Sequence, residues 1–187
     1  MLNTKKFNLT YTRCYCEENI YLLCKEIKEK QNEALEHCSV VYISNEDRMV
    51  PLWKQKAGVD QQPVVWDYHV ILYVDGTADS EAMIYDYDTT LSFPCTAKEY
   101  IMETFKPEYQ LKKKFDRYFR FVEAKAYLEQ FSSDRSHMMK KDGTYYAEPP
   151  LYPPIKSNQN PNNLLDFISM KENEYGTVYL TSEFYCL

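Results

Sequence analysis

From Glu17 onward, apolar side chains recur at Ile20, Leu23, Cys24 and Ile27, the i, i+3, i+4, i+7 spacing of a helix with one buried face. Cys16 falls one turn ahead of Ile20, which puts it at the N-terminus of that helix and toward its buried side. Residues 39–43 (Ser-Val-Val-Tyr-Ile) predict a strand, 44–47 a turn, and 49–53 a second strand interrupted by Pro51. A polar loop follows over 56–63. The clearest alternation runs from 64 to 74: Val64, Trp66, Tyr68, Val70 and Leu72 share one face, and Val65, Asp67, His69, Ile71 and Tyr73 the other. The loop 75–80 leads into a further strand over 82–88. Thr96-Ala97-Lys98-Glu99 has capping-box form and predicts a helix to Phe105. Residues 118–122 read as a strand and 124–131 as a helix. The stretch 132–163 is loop-like, rich in proline and asparagine, but its tyrosines suggest a packed excursion over the surface. Order resumes at 164–170 and 176–180. A helix followed by mostly antiparallel strands is an α+β pattern.

Composition narrows the class without naming a chemistry. A chain of 187 residues, 44% hydrophobic, is large enough for one domain with a substantial core, and 18 tyrosines with 9 phenylalanines make that core and its clefts aromatic. A single domain over 1–187 is expected, with 1–12 a poorly ordered N-terminal segment. The net charge of -6 argues against a binder of nucleic-acid backbones, and the run Lys112-Lys113-Lys114 with Arg117 and Arg120 reads as a solvated charged face. No apolar signal region opens the chain and no stretch is long enough to cross a membrane. The cytoplasm is therefore expected, with the nucleus also open, and the cysteines reduced. The six cysteines form no C-x-x-C pair, so no metal site is expected from them.

Three segments carry candidate chemistry. Treating 64–88 as a hairpin closed symmetrically by 75–80 sets Ile71 opposite Ile84 and His69 opposite Asp86, on the same side of the sheet. Cβ atoms of opposed residues lie about 4.5–5.5 Å apart, within reach of a carboxylate–imidazole hydrogen bond. Asp88, diagonal on the same face, is the alternative orienting acid. Cys16 is the natural third member, because first-turn amides and the helix dipole favour a thiolate and can stabilise an oxyanion. Cys14 competes as nucleophile but lies two residues further from the helix start.

These segments resemble the protein N-terminal glutamine amidohydrolase family. The similarity runs through Cys14 to Asn19, Ile43 to Glu46, Trp53-Lys54-Gln55, Trp66 to His69, Ile84 to Asp88 and Phe93-Pro94-Cys95. It continues through Phe119 to Val122, Asp134 to Met138, Asp166 to Met170 and Ser182-Glu183-Phe184. Tyr87 stands where an aliphatic residue is expected. The resemblance implies a monomeric enzyme on a papain- or transglutaminase-like α+β fold, with its nucleophile at a helix N-terminus. It implies deamidation of an N-terminal glutamine of a protein or peptide, the product feeding an N-degron. The family triad falls on Cys16, His69 and Asp86, and neither metal nor cofactor is implied. Recognition of a chain terminus favours a carboxylate in the cleft. Asp67 is the first candidate and Glu17, Glu18 and Asp134 are further ones, with Trp66 either a pocket wall or core. The rival readings are a related cysteine acyl-transfer enzyme, such as a transglutaminase or peptidase, and a non-catalytic module that holds N-termini.

Overall fold

The computed structural model describes residues 2, 4, 7–157 and 160–186. Helix α1 (Cys16–Lys30) buries Ile20, Leu23, Cys24 and Ile27, the face set by the apolar spacing. It packs across a six-stranded antiparallel sheet in the order β6-β5-β4-β1-β7-β8. The strands are β1 (Cys38–Ser44), β4 (His69–Val74), β5 (Met83–Tyr85), β6 (Cys95–Thr96), β7 (Tyr118–Glu123) and β8 (Thr177–Leu180). A separate two-stranded ribbon joins β2 (Val50–Leu52) to β3 (Val64–Trp66).

Strands β1 and β4 are buried on both faces, which is why their sequences read as nearly continuous apolar runs. On one face Val70, Leu72 and Val74 meet α1, α3 (Ala124–Gln130) and α4 (Leu164–Ile168). On the other, Ile71 and Tyr73 meet Tyr100, Phe105, Phe119 and Phe184. Thr96 caps α2 (Ala97–Tyr100) through a hydrogen bond from the Glu99 N–H to its Oγ1, and the chain continues as a π-helical turn over Ile101–Phe105. Helix α5 (Thr181–Phe184) closes that face. No helix among the described residues is long and apolar enough to cross a membrane.

The strand expected over 64–74 breaks at Asp67 and Tyr68, where Asp67 Oδ1 accepts the Tyr68 N–H and Ser44 Oγ donates to the Asp67 carbonyl. This break sends β3 into the small ribbon and lets Trp66 and His69 face the same way. The hairpin register also differs: Leu72 pairs with Tyr85, Tyr73 with Ile84 and Val74 with Met83. That is a shift of two residues from the symmetric pairing, so faces are preserved while opposite numbers change. Arg117 and Arg120 are inside the protein, not on a solvated face. Arg117 Nη2 donates to the Phe105 carbonyl, and Arg120 ties β7 to the carbonyls of Ser169, Lys171 and Tyr175.

Of the N-terminal segment expected to be poorly ordered, residues 1, 3, 5 and 6 lie outside the described residues. Leu2 is in the core, the Asn8 N–H donates to Glu26, and the Tyr11 hydroxyl reaches Asp88.

Gly176 enters β8 at φ +76°, and a Cβ there would overlap the Phe121 carbonyl of β7. Gly176→Ala is expected to destabilise the fold by more than about 1 kcal/mol through strain at a positive φ and displacement of the β7–β8 pairing. A lowered urea midpoint checks this.

Candidate active site

Residue 16 opens α1 with no side-chain cap over the helix start, so the first-turn amides remain available. The preceding loop is held by Asn19, whose side chain accepts from the Thr12 N–H at 2.8 Å and donates to the Thr12 carbonyl at 2.9 Å. Cys14 adopts φ 66° ahead of the helix. His69 begins β4, and Asp86 follows the last residue of β5.

Asp86 Oδ1 accepts His69 Nε2–H at 2.8 Å and the Asp88 N–H at 2.8 Å. Its Oδ2 accepts Gln55 Nε2 at 3.0 Å and the Tyr100 hydroxyl at 2.8 Å. Four donors converge on one carboxylate that is only 2% exposed. This network assigns the His69 proton to Nε2 and leaves Nδ1 buried, with no hydrogen-bond partner among the described residues. The Trp66 ring lies over the imidazole, centroids 5.5 Å apart and 18° from parallel, and its Nε1 donates to Gln55 Oε1.

Cys16, His69 and Trp66 line one cleft of about 320 Å³, together with Cys14, Asp67, Asp88 and the 137–138 turn. This lies at the small end of ligand pockets, about 300–1,000 Å³. A larger groove of about 840 Å³ between residues 10–14 and 146–152 shares Cys14 and Tyr146 with it.

The electrostatics of Cys16 run against the expectation of a lowered pKa. Burial pushes the thiol well up, and the carboxylates of Glu17 and Asp88 push it further, while the Val70 N–H favours the thiolate. For His69, burial disfavours the charged ring, but Asp86, Asp88 and Glu17 outweigh it and raise the pKa. Burial would raise Asp86, yet His69 and the hydrogen bonds from Gln55 and Asp88 hold it below the ordinary carboxylate range. The resting site therefore holds a neutral thiol in the same cleft as an imidazole with a raised affinity for a proton.

The expected terminus-recognising residues separate. Trp66 is cleft wall, not core. Asp67 lines the cleft, but its Oδ2 takes Arg48 Nη2 at 2.9 Å. Glu18 points away, fully buried in a two-pronged pairing with Arg135 Nε and Nη2, both at 2.8 Å. Asp134 accepts from the Ser136 N–H and Asn162 Nδ2 and does not line the cleft. Gln55, Tyr100, Tyr11 and His137 were not singled out by sequence reasoning. Each is a lone polar residue on a loop or short helix, brought in by tertiary contacts alone, though Gln55 and His137 fall within blocks that carried the resemblance. Glu17 forms a further buried cluster, accepting from Tyr68 Oη at 3.0 Å and lying 3.5 Å from His137 Nε2, with the Cys16 thiol at 3.6 Å. The ligand atoms of His69, Asp86 and Asp88 lie within 4.8 Å of one another, and a metal there would compete with the four hydrogen bonds Asp86 accepts.

A cysteine at a helix start and an imidazole with one free nitrogen, fixed from behind by a buried carboxylate, can carry out acyl transfer from an amide. Comparison with known proteins agrees with this class. The sequence model of a family described as N-terminal glutamine amidase matches residues 11–187. Proteins named protein N-terminal glutamine amidohydrolase from Drosophila ananassae, Drosophila melanogaster and Drosophila erecta are each 46% identical over 177 residues, covering 94% of this chain and 86% of the relative. The chain belongs to the N-terminal glutamine amidase family.

Proposed function

We propose that this protein hydrolyses the side-chain amide of an N-terminal glutamine in proteins and peptides, giving glutamate and ammonia. The observation that carries the chemistry is His69 Nδ1, buried and unpartnered in the cleft that Cys16 lines, with Nε2 engaged by Asp86. The family membership and the names of the relatives support the substrate.

In this reading Cys16 passes its proton to His69 Nδ1 and its sulfur attacks the side-chain carbonyl carbon of glutamine. The uncapped first-turn amides of α1 stabilise the oxyanion. His69 then protonates the departing nitrogen, which leaves as ammonia, and a γ-glutamyl thioester remains. Water gives its proton to His69 and attacks the thioester carbon, and the thiol recovers its proton as glutamate is released. Asp86 stays ionised throughout and holds the imidazole tautomer. These steps draw on the chain's own side chains and water. The new glutamate terminus is a substrate for arginylation and so for an N-degron. The same reading makes residues 1–187 a single catalytic domain of papain- or transglutaminase-like design, acting as a monomer in the cytoplasm or nucleus.

The test is mass spectrometry of a synthetic peptide beginning with glutamine. The expected result is conversion of amide to acid with ammonia released, no backbone cleavage and no amine adduct, and no conversion by Cys16→Ala. Unchanged peptide, or equal reaction at internal glutamine, overturns the proposal.

A further inference from the structure

Hydrolysing a terminal glutamine and sparing internal ones requires contact with a group that only the terminus carries, the α-ammonium. Two cleft carboxylates could provide it, and their bonding separates them. Asp67 is exposed, its two oxygens already taking Arg48 Nη2 and the Tyr68 N–H. Asp88 is 5% exposed, yet it lines the cleft beside Cys16 and His69. Its Oδ1 accepts the Tyr11 hydroxyl at 2.6 Å, and among the described residues no hydrogen bond reaches its Oδ2. A carboxylate so nearly enclosed, with one oxygen unmet, is stabilised strongly by a cation placed against it.

The spacing suits a glutamine. Four bonds separate its α-nitrogen from the side-chain carbonyl carbon, a reach of at most about 5 Å. The carboxylate of Asp88 lies within 4.8 Å of the ligand atoms of His69 and Asp86. An ammonium on Asp88 therefore keeps the amide of the same residue within reach of the His69–Asp86 pair.

We infer that Asp88 holds the substrate's α-ammonium, its carboxylate fixed by the Tyr11 hydroxyl, and so confines the reaction to chain termini; this rests on the amidohydrolase reading above. A consequence follows for the nucleophile. After burial and Glu17, Asp88 is the next influence that keeps Cys16 protonated, with Asp67 adding to it and the Val70 N–H opposing it. An ammonium seated on Asp88 cancels that charge, so substrate binding itself favours loss of the thiol proton, and the empty site holds an unreactive thiol.

The experiment compares two peptides of one sequence, the first beginning with glutamine and the second with des-amino glutamine, against wild type, Asp88→Asn and Tyr11→Phe. The wild type is expected to favour the amine-bearing peptide in kcat/KM by about 10–150-fold, the scale of hydrogen bonds to charged groups. Asp88→Asn is expected to lose most of that ratio, the loss falling on the amine-bearing peptide. Tyr11→Phe, which removes only a hydroxyl, should shift the ratio the same way and less. Equal losses on both peptides, or an unchanged ratio in Asp88→Asn, overturn the assignment. A wild type that converts neither peptide overturns the amidohydrolase reading, and this assignment with it.

Discussion

Asp86→Asn is expected to lower kcat on a glutamine-initiated peptide by about 10³–10⁴-fold, the size of effect seen when a triad carboxylate becomes an amide. The reason is a count of donors. His69 Nε2, the Asp88 N–H, Gln55 Nε2 and the Tyr100 hydroxyl all point at Asp86, and an asparagine offers one acceptor oxygen for the four. With the amide nitrogen toward His69, the imidazole must place its proton on Nδ1, the atom that has to accept the Cys16 proton. With the nitrogen turned the other way it meets Gln55, whose own oxygen is held by Trp66. Steady-state kinetics beside far-UV circular dichroism checks this, and activity within tenfold of wild type would remove Asp86 from its orienting role.

The same pair gives the fold a pH dependence of known sign. His69 has a raised pKa in the folded protein, so its contribution is complete below the ordinary histidine value of about 6.5 and is lost as pH rises through the raised one. Asp86 has a lowered pKa, so its contribution is complete above about 3.9 and is lost as pH falls through the lowered one. The pair therefore stabilises most between those ordinary values, and Asp86→Asn should lower that plateau and flatten the falls on either side of it.

Arg135→Ala is expected to cost about 3–5 kcal/mol of stability, the range for removing one partner of a buried ion pair. Glu18 is fully buried, and its two oxygens would lose the Arg135 guanidinium, which also lies between the rings of Tyr15 and Tyr152. Arg135 adopts φ 63° and leads into the Ser136–Met138 turn, which brings His137 and Met138 to the cleft. KM should therefore rise as stability falls. Arg135→Lys cannot restore the two-pronged pairing and should recover only part. Urea unfolding decides it: a loss below 1 kcal/mol would mean that water replaces the guanidinium.

Periodicity made α1 legible, and with it the position of Cys16, because burial of one helix face dictates spacing. Short apolar runs rich in β-branched and aromatic residues made β1, β4 and β7 legible, because strands buried on both faces need them. The meeting of His69 and Asp86 was legible through a register that the chain does not adopt: the observed pairing is displaced by two residues, which keeps the face, and Asp86 reaches His69 from just beyond β5. The break at Asp67–Tyr68 was hidden because side-chain hydrogen bonds to a backbone leave no periodic mark. The partner of Glu18 lies 117 residues away, and no local pattern could announce it. The rise in the Cys16 pKa was hidden too, since local helix position favours a thiolate and only tertiary burial, with Glu17 and Asp88, reverses it.

Strand β1 joins residues 38–43 to 69–74 on one side and residues 39–44 to 118–123 on the other. Every contact that holds α1 over the sheet depends on pairings between segments tens of residues apart, and chains dominated by such separations fold in milliseconds to seconds. Until β1 is paired on both sides, Cys16, Cys24, Cys38 and Cys95, all buried in the finished protein, stand in solvent. Refolding yield should then follow the supply of reductant during that interval, while in the folded protein Cys24, Cys38 and Cys95 are enclosed away from oxidant and only Cys16 of the four faces the cleft.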